Sequence, residues 1–390
     1  MRSEPNYNTI PVGQLGIIAL PGCEELANKI DNYLIRWRFQ RNSEHKDTLA
    51  FAGYEKSTYL INMDFPRFGT GEGKAALNQT VRGYDIYILC DVFNYGVTYK
   101  MYGMTVPMSP DEHFANLKRA ISAIEGKAKR VSVIMPMLYE GRQHRRTARE
   151  SLDCAVALQE IAYMGATNII TFDAHDPRVQ NAIPRNGFDD VRSSYQMLKA
   201  LSREYPDITF DPQTTMIVAP DEGAMSRAMY FSSVLNVELG MFYKRRNYKV
   251  IINGMNPIEA HEFLGNSVDG KDIIIVDDMI SSGESVLDIA EQLKEKGARR
   301  VFVFSTFGLF CNGCAKFDAA YEAGKIDRIF TTNLNYRPDE IINRPWYTEV
   351  NMCKYVSYII DSLNRDRSIS ELLNPINRIH ALTDKVRAGK

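Results

Sequence analysis

Apolar positions along this chain follow two rhythms: short unbroken runs, and longer stretches in which apolar residues recur every three or four positions. One local pattern occurs three times, a glycine followed by basic or polar residues and then an apolar run. The copies are Gly126-Lys-Ala-Lys-Arg-Val-Ser-Val-Ile-Met, Gly165-Ala-Thr-Asn-Ile-Ile-Thr-Phe and Gly297-Ala-Arg-Arg-Val-Phe-Val-Phe-Ser. Each reads as a glycine at a helix C-terminus feeding a buried strand. Further strands are predicted at Asp85 to Leu89, Met216 to Ala219, Ile273 to Val276 and Arg328 to Thr332. Because the runs do not alternate, both faces of each strand are expected to be covered, as in a parallel sheet sandwiched by helices.

Helices are predicted between the strands. Ser109-Pro110-Asp111-Glu112 supplies an N-cap, a proline at the first helical position and a capping-box acid, and Phe114, Leu117, Ile121 and Ile124 then mark one apolar face. A second helix carries Val286, Ile289, Ala290 and Leu293 and ends at Lys294, Lys296 and Gly297. The polar stretch from Pro184 through Pro212 separates two strand-rich halves, so domains are expected at 1–190 and 191–390. The charged tail after residue 365 reads as helical and can pack on the first domain.

At 390 residues the chain exceeds one compact core, which also favours two domains. The 47 Lys and Arg nearly balance the 48 Asp and Glu, so no global field draws the protein to nucleic acid or an anionic membrane. No apolar run has the length of a spanning helix, and Met1-Arg2-Ser3-Glu4-Pro5 lacks a signal-peptide core, so a cytoplasmic location is expected. The six Cys are too scattered for a disulfide framework, which fits a reducing compartment. Cys311-Asn-Gly-Cys314 has redox or zinc spacing but no second pair, and reads as a turn with two free thiols.

The sharpest chemical signal is Lys271-Asp-Ile-Ile-Ile-Val-Asp277-Asp278-Met-Ile-Ser281-Ser282-Gly283-Glu284-Ser285. A buried strand delivers two carboxylates to its C-terminal edge, where open α/β sheets bind ligands. The small hydroxyl-rich turn that follows suits a phosphate, with Ser281, Ser282 and Ser285 adding donors to the backbone N–H groups around Gly283. Asp277 and Asp278 can take sugar hydroxyls or a hydrated Mg²⁺. Arg142-Gln143-His144-Arg145-Arg146 concentrates cations after another apolar run, as a triphosphate requires.

The Asp277 to Ser285 segment resembles the phosphoribosyl diphosphate (PRPP) signature of the type I phosphoribosyltransferase fold. The remaining motifs resemble, in order from about residue 14 to 372, the ribose-phosphate diphosphokinase family. Arg67-Phe68-Gly-Thr70-Gly-Glu72 and Val81-Arg82-Gly83-Tyr-Asp85 look like its first nucleotide loop and the strand after it. Pro136 to Arg146 looks like its ATP-binding segment, Thr171-Phe-Asp173-Ala-His175 like the strand end bearing a metal-associated histidine, and Val218-Ala-Pro220-Asp221-Glu-Gly223 like the turn near ribose and diphosphate. Tyr243-Lys244-Arg245-Arg246 resembles the start of a flexible catalytic loop, after a strand ending near Phe242.

The resemblance implies two tandem, doubly wound, mostly parallel-sheet domains of phosphoribosyltransferase type. It implies ATP held by Phe68, Glu72, Arg142 and Gln143, and ribose 5-phosphate held by Asp277, Asp278, Ser281, Ser282, Gly283 and Ser285. His175 and Asp221 would sit near Mg²⁺, and Lys244 and Arg246 would stabilise the transferring group. It further implies a homo-oligomer whose neighbouring subunits share the nucleotide site, acting on small molecules without nucleic-acid or membrane partners. A PRPP-consuming phosphoribosyltransferase and a catalytically silent homologue are the alternatives. Several features depart from the family pattern: Thr70 in place of an Asp, His144 and Thr147 in place of acids, Glu284 in place of a glycine, Phe307-Gly308 in place of a His-Gly pair, and a Tyr- and Met-rich insertion from Tyr95 to Pro110.

Overall fold

The computed structural model describes residues 10–44, 55–246 and 258–388, and leaves the side chains of 41–44, 244–246 and 258–261 outside the described ones. These residues divide into two compact units. The first runs to Arg192 and includes Asn333–Tyr336 and Met352–Asn374; the second holds Ser193–Thr332, Arg337–Asn351 and the residues from Pro375 onward.

The first unit is built on a five-stranded sheet in the order Gln14–Ala19, Tyr84–Leu89, Arg130–Ile134, Asn168–Phe172, Gly187–Val191, every pair parallel. The expected capping box is present: the Ser109 side chain accepts from the Glu112 N–H and the Glu112 side chain accepts from the Ser109 N–H, opening the helix Pro110–Ile124. Phe114, Leu117, Ile121 and Ile124 are buried with Ile86, Ile88, Val131 and Val133 of the sheet. Gly165 has φ +110°, the left-handed geometry that lets a helix end and the next strand begin at once.

The second unit holds a seven-stranded sheet: Ile258–Leu264, Glu238–Arg246, Thr215–Ala219, Asp272–Ile280, Arg300–Gly308, Arg328–Thr332, Tyr347–Val350. All pairs are parallel except the first, which is antiparallel. In chain order this sheet reads 3-2-1-4-5-6-7, so the winding reverses between Thr215–Ala219 and Asp272–Ile280. The first sheet has no such reversal: its strands follow chain order from one edge to the other. A reversal opens a crevice beyond the C-terminal ends of the two strands that flank it, and ligands bind there.

Two details differ from the sequence reading. The strand expected to stop near Phe242 runs on to Arg246, because it has an antiparallel partner in Ile258–Leu264. The tail after residue 365 divides: Ser370–Leu373 belongs to the first unit, whereas Ile376–Arg387 belongs to the second, where Arg387 Nη2 donates to the carbonyls of Phe210 (2.7 Å) and Leu235 (2.9 Å).

Candidate active site

The strand Asp272–Ile280 ends at the winding reversal of the second sheet, so its two acids reach the crevice together with Asp221, which follows the neighbouring strand Thr215–Ala219. The strand is buried from Asp272 to Val276, the last four of those residues being apolar; Asp278 is also buried and Asp277 half-buried. The Asp278 N–H donates to Asp277 Oδ1 (2.8 Å) and the Met279 N–H to Asp278 Oδ1 (2.9 Å), fixing both carboxylates against the main chain. Burial, and after it the charge of Asp278, holds Asp277 well above the ordinary carboxylate range, with Arg227 of the helix Met225–Leu235 opposing the shift. Asp221 Oδ1 accepts from the Ala224 N–H (3.2 Å), shaping the turn into that same helix.

The turn after Ile280 is braced from one side. The N–H groups of Leu309 (2.9 Å) and Phe310 (3.2 Å) donate to the Ile280 carbonyl, the Cys311 N–H donates to the Ser281 carbonyl (2.9 Å), and Ser281 Oγ lies 3.6 Å from Cys311 Sγ. Gly283 has φ +80°, and a Cβ there would lie 2.1 Å from Phe317 Cζ, so no other residue fits without displacing that ring. Cys311 and Cys314 are both free thiols, the first exposed and the second buried.

The same strand has aspartate at its other end. Asp272 is buried and accepts from Arg299 Nε (2.8 Å), Arg300 Nε (2.9 Å) and Arg300 Nη2 (2.7 Å). Burial raises its pKa, but the hydrogen bonds from Arg300 and then Arg299 outweigh burial and hold the carboxyl below its ordinary value. Asp85 of the first sheet is satisfied in the same manner by Arg130 (2.7 and 2.8 Å) and Asn364 (2.9 Å), which makes it structural despite its place in a nucleotide-like motif.

In the first unit the Arg142–Arg146 segment and His175 come together, because they follow the hydrogen-bonded strands Arg130–Ile134 and Asn168–Phe172. The His144 and His175 rings are 5.3 Å apart, and His144 Nε2 lies 3.4 Å from Asp176 Oδ2. Arg142, Arg145 and Arg146 are exposed on an irregular turn; the Arg142 backbone hydrogen-bonds His144 and its charge acts on Glu140. Such exposed cations suit an anionic ligand.

Phe68 and Glu72 sit on a separate loop of the first unit, and no hydrogen bond, ion pair or ring contact joins them to Arg142 or Gln143 among the described residues. Arg67 ties that loop: its Nη1 donates to the Gly71 carbonyl (3.0 Å) and its Nη2 to Asn116 Oδ1 (3.2 Å). The Tyr95 to Pro110 insertion forms a hairpin, Thr98–Met101 with Met104–Pro107, that covers the loop. Tyr99 faces the Arg67 guanidinium at 4.8 Å and the Tyr102 N–H donates to the Gly69 carbonyl (2.8 Å). Phe68 remains 53% exposed.

Three of the departures from the expected motifs have a local partner. Thr70 Oγ1 donates to Glu72 Oε2 (2.9 Å), His144 meets Asp176, and Glu284 pairs with Lys316. The backbones of Lys244 and Arg246 pair with His261 and Ile258 at the sheet edge, while their side chains and residues 247–257 lie outside the described ones. Arg227, Lys316 and Phe317 had no local sequence signal; they reach the site from segments that only the sheet order brings alongside. Among the described residues no group of three or more His, Cys, Asp or Glu is arranged to hold a metal ion.

Three family models match the chain. They are the N-terminal domain of ribose phosphate pyrophosphokinase over residues 15–165, the phosphoribosyl transferase domain over 189–309 and the phosphoribosyl synthetase-associated domain over 256–374. The chain is 25% identical to the ribose-phosphate pyrophosphokinase of Vibrio cholerae over 314 residues, which cover 79% of this chain and 90% of that protein. It is 32% identical to the one from Ureaplasma parvum over 214 residues, 54% of this chain and 61% of that protein. Among solved structures, phosphoribosylpyrophosphate synthetase from Mycobacterium smegmatis aligns with a TM-score of 0.70 at 19% identity, covering 90% of this chain and 99% of that one, a likeness of fold.

Proposed function

The chain belongs to the ribose-phosphate pyrophosphokinase family, and from that premise we propose that it transfers the diphosphoryl group of ATP, supplied as its magnesium salt, to the anomeric hydroxyl of ribose 5-phosphate. The C1 oxygen attacks the β-phosphorus, the bond from that phosphorus to the α-phosphate oxygen breaks, and AMP leaves while the hydroxyl proton passes to solvent. The observation that carries this reading is the Asp277 and Asp278 pair at the winding reversal, Asp278 buried and Asp277 half-buried, opening directly into the Ser281 to Ser285 turn.

In this reading Asp277 and Asp278 take the ribose hydroxyls, and Ser281, Ser282, Gly283 and Ser285 take the 5-phosphate. Phe68, Glu72, Arg142 and Gln143 hold the nucleotide; the exposure of Phe68 and of the Arg142 cluster supports the assignment. His175 and Asp221 stand near Mg²⁺, which neutralises charge on the phosphates when bound. Lys244 and Arg246 stabilise the diphosphoryl group in flight, since the protein's contribution to such a transfer is positioning and charge rather than covalent chemistry. Membership of the family supports a homo-oligomer in which neighbouring copies share the nucleotide site. No helix among the described residues is long and apolar enough to cross a membrane, and a cytoplasmic setting with small-molecule partners alone is part of the proposal.

The test is product identity. Incubation with ATP, ribose 5-phosphate and Mg²⁺ is expected to yield AMP and PRPP in equal amounts by ion-exchange chromatography. ADP in place of AMP, or intact ATP after prolonged incubation, contradicts the assignment.

A further inference from the structure

Glu284 puts a carboxylate inside a turn that, on the reading above, receives the doubly charged 5-phosphate. A unit charge about 7 Å from a dianion in water costs about sevenfold in affinity. Glu284 is not left to exert that cost. Lys316 Nζ lies 2.5 Å from Glu284 Oε1, and Lys316 is delivered by the helix Ala315–Glu322. The next residue, Phe317, is fully buried, packed against Phe310 (5.0 Å between ring centroids) and stacked on Trp346 (5.3 Å), and it fills the space where a Gly283 Cβ would stand. Consecutive residues of one helix therefore engage consecutive residues of the turn, Phe317 beneath Gly283 and Lys316 on Glu284.

We propose that Lys316 is a positioning residue for ribose 5-phosphate: it cancels the Glu284 charge so that the Ser281 to Ser285 turn accepts the phosphate dianion. The inference rests on that turn being the phosphate site. Exposed ion pairs contribute little to stability, so the effect of this one falls on binding. With Lys316 58% and Glu284 62% exposed, single substitutions leave the fold intact.

The experiment compares wild type, Lys316→Ala, Glu284→Gln, the double variant and Ser285→Ala, reading the KM for ribose 5-phosphate, the KM for ATP and calorimetric binding of ribose 5-phosphate alone. Lys316→Ala is expected to weaken ribose 5-phosphate five- to tenfold with the KM for ATP unchanged, and the penalty shrinks when KCl rises from about 0.05 to 0.5 M. The double variant is expected to return to within about twofold of wild type, because removing the carboxylate removes the need for the lysine. A double variant as weak as Lys316→Ala overturns the proposal, since the lysine would then act on phosphate directly. So does a Lys316→Ala enzyme with wild-type affinity. In that second case Ser285→Ala separates the causes: weakened binding by it leaves the turn as phosphate site and only the role of Lys316 fails, whereas unchanged binding removes the turn assignment as well.

Discussion

The strand Asp272–Ile280 carries aspartates at both ends, and the two ends have been built for opposite purposes. At the N-terminal end Asp272 accepts hydrogen bonds from two arginines and is held ionised below its ordinary pKa. At the C-terminal end Asp277 is pushed well above the carboxylate range by burial and by Asp278, with main-chain N–H groups as the hydrogen bonds that position the pair. A buried acid held ionised by arginines is a structural staple; one whose pKa is raised where a strand ends at a winding reversal is a candidate for a ligand. The same contrast separates the first unit's Asp85, enclosed by Arg130 and Asn364, from its exposed Arg142 cluster.

The contrast is broken most severely by removing an arginine from the staple. Arg300→Ala is expected to cost about 3 kcal/mol of stability, read as a lower urea midpoint, because Asp272 stays buried with part of its compensation gone, while substrate affinities hold. At the other end Asp277→Asn mimics the neutral acid, so the fold should hold its stability while the affinity for ribose 5-phosphate falls about 100-fold. An Asp277→Asn protein that unfolds more readily than Arg300→Ala would reverse the assignment of the two ends.

A pH titration of stability sharpens the same point. Asp272, with its pKa depressed, contributes stability that is present above the unfolded value of about 4 and is lost as pH falls through the lower folded value. Asp277, with its pKa raised, contributes stability that is present below about 4 and is lost as pH climbs towards the raised folded value. Comparing wild type with Asp277→Asn by chemical denaturation from pH 3 to pH 8 should therefore show the variant gaining on wild type as pH rises. A variant that loses ground to wild type as pH rises contradicts the raised pKa. The smallest effect is expected in the first unit, where Phe68→Ala should raise the KM for ATP about fivefold and leave that for ribose 5-phosphate unchanged.

Much of this was legible in the sequence, and what was not has a common cause. The Asp277-Asp278 pair, the Gly283 turn and the Ser109 to Glu112 capping box are local patterns, and each forms within its own segment. The Arg227 influence on Asp277, the Lys316 pair with Glu284 and the Phe317 packing under Gly283 depend on which strands become neighbours, which no local pattern states. Gly187–Val191 escaped notice as a strand because its two aspartates interrupt the apolar run, yet it completes the first sheet as an edge. The Thr98 to Pro107 hairpin likewise reads as an insertion until its contacts with the Arg67 loop give it a use.

What stands to be tested first is that the chain makes PRPP at the C-terminal end of the Asp272–Ile280 strand, with Lys244 and Arg246 proposed to stabilise the group in transfer. The most direct measurement is the rate of AMP and PRPP formation from ATP and ribose 5-phosphate with Mg²⁺, wild type beside Lys244→Ala. The account predicts turnover by wild type and a loss of at least about 100-fold in kcat for the variant, with binding of ribose 5-phosphate retained. Wild type that binds both substrates without forming either product, or a variant that turns over at the wild-type rate, would contradict it.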